Sequence, residues 1–359
     1  MDPRVKVLIV DDSALFRQTL RTLLESESDI KVIGTAMDPY FAAQKITREK
    51  PDVITLDIEM PRMDGLTFLK KLMKQAPIPV VIITSLTQRG TALALKAIEL
   101  GAVEVITKPQ MDSKKLLEES RIKITDTIRS AAMAKLKEAR VRKTVQTASA
   151  KRTFSPVKRP TTLITHNKVV AVGASTGGTD ALKLFLQSLD EHSPGVVIVQ
   201  HMPEKFTKSF ADRLNEICRI SVKEAENDDQ VLPGTALIAP GNFHMSLFRI
   251  GNQYKVKIFA GELVNRHRPA VDVLFKSVAH HAGPNAIGVI MTGMGSDGAQ
   301  GLWEMREAGA YTIAQDEKSC VVFGMPKKAI EKGAACTVLP LEQIAEDVLI
   351  QVNQEEVRD

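Results

Sequence analysis

Cysteine is scarce in this 359-residue chain, and long apolar runs are missing. Its three cysteines, Cys218, Cys320 and Cys336, are too few and too scattered for a disulfide framework or a cysteine-ligated metal site. No apolar run approaches the roughly 18 residues that a membrane-spanning helix needs. The opening residues, MDPRVKVLIVDDS, place acids directly after the apolar stretch, unlike a signal peptide. We therefore expect a cytoplasmic protein that does not insert into a membrane.

A folded basic surface is also missing, although the net charge is +5. Residues 1–133 carry +2, residues 134–168 carry +9 and residues 169–359 carry −6. Proteins that grip nucleic-acid phosphates concentrate their basic residues on a folded domain, whereas this excess lies in one short segment. The sequence therefore predicts no nucleic-acid partner.

Average composition, with 44% apolar and 25% charged residues, indicates a folded, water-soluble chain. Its length favours two domains at roughly 150 residues each. Helical apolar spacing stops between Thr144 and Asn167, where Ser, Thr, Pro, Lys and Arg dominate. We predict domains at 1–125 and 168–359, with 126–167 forming a helix end and a basic flexible linker. The linker is a solvated tether or a docking site for an acidic partner, and both remain open.

Short β-rich runs alternate with helical patterns before the linker. The predicted strands are KVLIV (6–10), IKVIGTA (30–36), DVITLD (52–57), PVVIIT (79–84) and VEVITK (103–108). After the linker come VVAVG, VVIVQH, TALIAP, AIGVIMTG and YTIAQD. The sequence predicts an α/β protein with two doubly wound parallel-sheet domains, the first flavodoxin-like and the second Rossmann-like. Residues 235–265 are more β-rich and favour an added antiparallel pair.

Polar residues follow the strands of the first unit where each strand ends. Ligands of such sheets bind at the carboxyl ends of the strands. The candidates there are Asp11, Asp12, Asp57, Thr84 and Lys108. Close carboxylates repel one another unless a cation lies among them, and oxygen ligands suit Mg²⁺. Lysine and a hydroxyl beside them could bind a phosphoryl group.

The motifs VDDS, TLDIEMPRMDG, ITS and TKP resemble the response-regulator receiver domain over about the first 125 residues. The resemblance implies that Asp57 accepts phosphate from a histidine kinase. It further implies the Mg²⁺ ligands Asp11, Asp12, Asp57 and the backbone carbonyl of Glu59, and the phosphoryl sensors Thr84 and Lys108. Many receivers carry Tyr or Phe three residues before the lysine, but Val105 stands there, so the aromatic switch cannot be assumed.

In the second unit, the motif GASTGG (173–178) follows a strand and opens a helix, which places Ser175 on a tight turn. The dinucleotide-binding pattern G-x-G-x-x-G fails because Ser175 stands where its second glycine is needed. The pattern G-x-S-x-G of a nucleophile elbow fits. Unpaired N–H groups at a helix start could stabilise an oxyanion there. Ser175 is therefore a candidate nucleophile.

His201 ends the strand VVIVQH, and a serine hydroxyl needs such a base to become a good nucleophile. Asp297, in the turn MTGMGSDGA, could accept a hydrogen bond from the imidazole. Alternatively, Asp297 caps the helix that follows it. The order Ser, His, Asp differs from that of α/β-hydrolases. The remaining histidines are predicted to pack or lie on the surface, with His244 and His267 nearest a cleft.

The motifs GASTGG, QHMP, VLPG, LIAPGN, NRHRPAVDVLF and TGMGSDGA resemble the catalytic domain of the chemotaxis protein-glutamate methylesterases across residues 168–345. The resemblance places the family's triad on Ser175, His201 and Asp297, with Thr176 and Met294 around the oxyanion and nucleophile. It implies hydrolysis of glutamate γ-methyl esters on membrane chemoreceptors, and deamidation of receptor glutamines. It implies no cofactor for this domain.

A receiver-gated transcription factor is the alternative from another class, favoured only by the basic linker. The unit after the linker is acidic and rich in strands, and it lacks a short helix-turn-helix end. The hydrolase is therefore the preferred interpretation.

Overall fold

The computed structural model describes residues 3–60, 65–85, 87–109, 114–136 and 168–354. Most of the predicted basic linker, residues 137–167, lies outside them. Two α/β units fill the described ranges, each built on a parallel sheet.

The first unit holds a five-stranded sheet in its described residues, with the strand order β2-β1-β3-β4-β5. Its strands are β1 (Val5–Val10), β2 (Ile30–Ala36), β3 (Val53–Leu56), β4 (Val80–Thr84) and β5 (Glu104–Thr107). Its helices are α1 (Ala14–Glu25), α2 (Pro39–Arg48), α3 (Gly65–Gln75), α4 (Gln88–Glu99) and α5 (Lys114–Met133). The predicted doubly wound parallel sheet is confirmed.

Local sequence explains these elements. Strand β3 is buried along its whole length, which requires the continuous apolar run of a parallel strand covered on both faces. Helix α1 buries Leu20 and Leu24 against the sheet. The side chains of Ser13 and Asp38 accept backbone N–H bonds at the first turns of α1 and α2, which stabilises both helix starts.

The second unit holds a seven-stranded sheet in the part of the chain that is described, ordered β14-β13-β12-β6-β7-β9-β8. These strands are β6 (Val169–Ala174), β7 (Gly195–Gln200), β8 (Ser221–Glu224), β9 (Thr235–Ile238), β12 (Ala286–Ile290), β13 (Tyr311–Gln315) and β14 (Thr337–Leu339). Its helices are α6 (Gly178–Gln187), α7 (Phe206–Ile217), α8 (Val271–Ala282), α9 (Ala299–Glu307), α10 (Met325–Glu331) and α11 (Leu341–Gln354).

The predicted antiparallel pair is present as a sheet of its own rather than as an edge of the main sheet. Strands β10 (His244–Ile250) and β11 (Gln253–Phe259) pair from His244 opposite Phe259 to Ile250 opposite Gln253. Buried residues on this pair, including Met245, Leu247 and Val256, pack in one core with α8. The pair therefore covers α8 on the outside of the unit.

The main sheet reverses its winding beside β6. The chain proceeds from β6 to β7 and β9 on one side, and from β12 to β13 and β14 on the other. Such a reversal opens a crevice at the carboxyl ends of the strands. The turns that follow β6, β7 and β12 all lie at this crevice, and each carries a candidate catalytic residue.

Of the helices in the described residues, none combines the length and the apolar character needed to cross a bilayer.

Candidate active site

Ser175 lies on the turn between β6 and α6. Its carbonyl accepts the N–H of Gly178 at 2.7 Å, which closes the turn. Gly177 has φ of 79°, a conformation that favours glycine. A Cβ on Gly178 would lie 2.1 Å from the Gln200 side chain. The two glycines therefore allow the serine to sit on a sharp turn pressed against β7.

Strand pairing brings His201 beside Ser175. Ala174 pairs with Gln200 in the β6–β7 register, so the next residue of each strand emerges at the same edge. The His201 N–H also donates to the Ala174 carbonyl at 3.1 Å. Ser175 and His201 line one cavity, as the sequence predicts.

The two imidazole nitrogens of His201 have different surroundings. Nε2 lies 2.8 Å from Oδ2 of Asp297. Nδ1 is buried and has no hydrogen-bond partner among the described residues. A buried polar atom without a partner is costly and is uncommon outside functional sites. Nδ1 is therefore the nitrogen that can take a proton from a group in the cavity.

Asp297 is buried among hydrogen-bond donors. Besides His201, its carboxylate accepts the Asn265 amide at 2.9 Å and the backbone N–H groups of Val271 and Asp272 at 2.7 and 3.1 Å. Burial alone would raise its pKa, but the bonds from His201 and Asn265 and the nearby histidines lower the pKa to about 2. The carboxylate is thus ionised at neutral pH.

The alternative role predicted for Asp297, capping the following helix, is wrong. Helix α9 has Gly298 at its N-cap position, with no side-chain cap bond. Asp297 instead binds two N–H groups at the start of α8, an element that precedes it in the chain. The carboxylate therefore joins the histidine to α8.

His267 packs face to face on His201, with ring centroids 3.7 Å apart and an interplanar angle of 11°. Burial, followed by the neighbouring His201, holds the pKa of His267 well below its usual value. Its ring is therefore neutral and limits the tilt of His201. His244, predicted near a cleft, is buried, with Nε2 2.8 Å from the Glu262 carbonyl.

A second cluster lies at the carboxyl edge of the first sheet. Asp11 and Asp57 are buried, and Nζ of Lys108 lies 2.7 Å from a carboxylate oxygen of each. Ligand oxygens of Asp11, Asp12 and Asp57 all lie within 4.8 Å of one another. The Glu59 N–H donates to Asp57 at 2.9 Å. This donor set of hard oxygens fits Mg²⁺.

At this edge of the sheet, Thr84 ends β4 and Lys108 follows β5. Thr84 is fully buried, and its hydroxyl has no partner in the described part of the chain. Burial alone would lower the pKa of Lys108, but its bonds to Asp11 and Asp57 hold it above the usual value. Val105 is buried at the position where many receivers carry an aromatic residue.

The two units meet over the Ser175 crevice, where they enclose a cavity of about 600 Å³, called here the catalytic cleft. The second unit contributes Ser175, His201, His267 and Met294, among other residues. The first unit contributes β5 and one face of α5. Helix α5 runs beyond residue 125 to Met133, and this extension reaches the second unit.

Direct contacts hold α5 over the crevice. The Ser130 hydroxyl donates to the hydroxyl of Thr176, the neighbour of Ser175, at 2.8 Å. The Lys135 N–H donates to the Val321 carbonyl at 3.0 Å. Away from the crevice, Arg213 of α7 pairs with Glu99 of α4 at 3.4 Å. The first unit therefore covers the candidate nucleophile.

A buried carboxylate lies at this contact. Burial raises the pKa of Glu104 in β5 to about 7, opposed by its hydrogen bond with Thr176 and by the charge of Lys123. Glu104 and Lys123 both line the catalytic cleft.

Sequence reasoning did not identify Asn265 or Ser130 as site residues. Asn265 has φ of 51° and lies 7 residues before Asp272, whose carboxylate it also binds at 2.7 Å. Its position in the motif NRHRPAVDVLF could have indicated a role in the site. No sequence feature indicated Ser130, because its contact depends on how the two domains dock.

Each of the two units matches a known protein family. The sequence profile of the CheB methylesterase family matches residues 170–348, and that of the response regulator receiver domain matches residues 7–121. A protein-glutamate methylesterase/protein-glutamine glutaminase of Geobacter metallireducens is 55% identical over 96% of this chain and 98% of its own. A relative of the same description from Rhodospirillum rubrum is 54% identical over 97% of this chain and 99% of its own.

The second unit also resembles a solved structure, the CheB methylesterase catalytic domain of Thermotoga maritima. That structure is 41% identical, covers 51% of this chain and 97% of its own, and superposes with a TM-score of 0.50. The two sequence relatives, unlike this structure, match the chain across both of its units. The chain belongs to the protein-glutamate methylesterase/protein-glutamine glutaminase family.

Proposed function

We propose that this methylesterase is switched on by phosphorylation and removes methyl groups from glutamate γ-methyl esters of methyl-accepting chemotaxis receptors. The observation that carries the proposal is the catalytic cleft itself, which Ser175 and His201 line together with residues of a receiver domain, while Asp297 is hydrogen-bonded to His201. The candidate catalytic residues are thus in direct contact with the receiver domain.

The proposed reaction begins with Oγ of Ser175 attacking the ester carbonyl carbon while Nδ1 of His201 takes the hydroxyl proton. Asp297 holds Nε2–H of the ring and stabilises the imidazolium. The proton then passes to the departing methoxide, which leaves as methanol, and an acyl-enzyme remains. Water attacks the acyl-enzyme with His201 as base, which releases the glutamate carboxylate and restores Ser175.

Deamidation of receptor glutamines follows the same course. Ammonia leaves in place of methanol, and the same acyl-enzyme is hydrolysed to glutamate. Thr176 and Met294, which line the cleft beside the nucleophile, are proposed to support the oxyanion of both reactions. The catalytic domain is proposed to need no cofactor.

The proposed switch is Asp57, phosphorylated by a chemotaxis histidine kinase. Asp11, Asp12, Asp57 and the Glu59 carbonyl would hold Mg²⁺, which neutralises charge on the phosphoryl oxygens when bound. Lys108 holds Asp11 and Asp57 in the described structure, and it would be drawn to the phosphoryl group. Thr84 offers to the same group a buried hydroxyl that no other described residue binds.

In the proposed cycle, the described arrangement is the closed form. The Ser130–Thr176 bond and the pairs of α5 with the catalytic unit oppose entry of a receptor helix. Phosphorylation would weaken this packing, which requires only a few kcal/mol of difference between closed and open forms. The basic linker would let the two domains separate without unfolding.

The direct test is release of methanol from methylated receptor membranes by the intact protein. We expect a low rate without a phosphodonor and a rate roughly ten-fold or more higher with acetyl phosphate and Mg²⁺. Absence of methanol under both conditions would reject the ester substrate. Tight, salt-resistant binding to specific DNA under the same conditions would favour the transcription-factor alternative.

Asp297→Asn should lower kcat on the order of 10⁴-fold, less than loss of the nucleophile. The amide would present a donor to N–H groups that now bind a carboxylate, and His201 would lose the partner that fixes its tautomer. Steady-state kinetics with a methylated receptor measures this change.

Asp316→Asn is the matched control for Asp297→Asn. Asp316 also follows a strand of the sheet and caps a local turn through Ser319, but it does not contact a histidine. Equal losses in the two variants would argue against an orienting role for Asp297.

A further inference from the structure

Two arginines of the catalytic unit reach across the cleft to carboxylates of α5. A guanidinium nitrogen of Arg266 lies 3.2 Å from Oδ2 of Asp126, and one of Arg268 lies 3.4 Å from Oε2 of Glu119. Both arginines line the catalytic cleft. Both are positively charged, whereas residues 169–359 as a whole carry a net charge of −6.

The partners of these arginines lie on one face of a helix that also reaches the nucleophile. Glu119, Asp126 and Ser130 are separated by seven and four residues, spacings that place side chains on the same helical face. Ser130 touches Thr176, next to Ser175. Lys123 lies between them in the sequence and also lines the catalytic cleft, near the Glu104 carboxylate of its own domain. The carboxylates of Glu119 and Asp126 are the groups of this face that pair with the arginines.

Arg266 and Arg268 are in different surroundings. The Arg266 side chain is 65% exposed, whereas that of Arg268 is 16% exposed and also binds the Asn242 side chain and the Gly261 carbonyl. These bonds hold Arg268 in place whether or not α5 is present. When α5 leaves, both guanidinium groups would face the open cleft without their α5 carboxylates.

We propose that α5 occupies the groove of the substrate, and that Arg266 and Arg268 select substrate helices carrying carboxylates. This inference rests on the proposed ester hydrolysis. The methyl ester would take the place of Ser130, the α5 residue that bonds to Thr176 beside the nucleophile. A substrate helix running in the direction of α5 would then place carboxylates four residues before the ester, at Arg266, and eleven residues before it, at Arg268.

The test uses the intact protein, Mg²⁺, acetyl phosphate and helical peptides that carry one glutamate methyl ester. One peptide has Glu at both positions, and its partners have Gln at the fourth, the eleventh or both. We expect KM to rise roughly three-fold for each carboxylate removed, with little change in kcat, because each contact is a partly exposed ion pair. The difference should shrink in 0.5 M salt.

A charge reversal tests the assignment of one arginine. With Arg266→Glu, the peptide with Lys at the fourth position before the ester should be hydrolysed better than the Glu peptide, which reverses the preference of the unaltered protein. Arg266 is exposed, so the change should leave folding intact. Arg249→Glu, near the end of β10, is the matched control and should keep the original preference.

Each outcome decides a separate point. If no peptide releases methanol while receptor membranes do, the helix alone is not the unit recognised and the inference fails. If all peptides are hydrolysed with equal KM, the arginines do not select carboxylates and the inference fails while the proposed function stands. A preference for carboxylates placed after the ester also overturns it. If neither peptides nor receptors are hydrolysed, the proposed function itself fails.

Discussion

Ser175→Ala should reduce methanol release from methylated receptors by roughly 10⁶-fold, because the hydroxyl oxygen forms the covalent bond on which the proposed reaction depends. His201→Ala should be comparably severe, and the double variant should be little worse than either, since a nucleophile and its base act as a unit. The rate is measured as methanol released over time.

Two controls accompany Ser175→Ala. Ser188→Ala, at the end of α6, removes a hydroxyl that bonds only the Leu184 carbonyl of its own helix and should keep activity. Phosphorylation of Asp57 should persist in Ser175→Ala, which shows that the receiver remains folded. Turnover at the original rate in Ser175→Ala would eliminate the covalent mechanism.

Asp57→Asn should hold the intact protein at its low basal rate whatever phosphodonor is supplied, because the amide cannot accept a phosphoryl group. Conversely, residues 168–359 alone should exceed the unphosphorylated intact protein, since α5 no longer covers Ser175. Both comparisons use methanol release with and without acetyl phosphate. Asp52→Asn, an exposed carboxylate of the same receiver that binds the Lys6 N–H, should respond normally.

These two measurements distinguish inhibition by covering of the cleft from switching by phosphorylation. If the catalytic unit alone is no faster than the full protein, covering of the cleft does not limit the rate. If the unit is faster but phosphodonor has no effect on the intact protein, the receiver inhibits without acting as the switch.

Apolar runs were enough to predict most strands of both sheets, because parallel strands buried on two faces need nearly continuous β-branched residues. The sequence pattern did not predict strands β8 and β14. The first, Ser221–Glu224, buries only Val222, and the second, Thr337–Leu339, has three residues and no buried one, so neither has a run to detect. Both are edge strands of the sheet, so each has a neighbouring strand on one side only.

The site could be predicted in part for a similar reason. Ser175 and His201 follow neighbouring parallel strands, so their meeting follows from topology alone. The bond of Asp297 to α8 could not be foreseen, because it joins a turn to an earlier helix. His267 was expected near a cleft, but its stacking on His201 depends on how residues 264–269 turn back.

Because the Ser130–Thr176 bond couples the two domains, substrate in the cleft should also affect phosphorylation of the receiver. Binding free energies are reciprocal, so if phosphorylation of Asp57 favours substrate entry, an occupied cleft must favour the phosphorylated form of the receiver by the same factor. A receptor rich in methyl esters would act as an effector of the receiver as well as a substrate. At equilibrium, the phosphorylated fraction of the receiver would then be larger on receptors that still carry methyl esters than on receptors that have lost them.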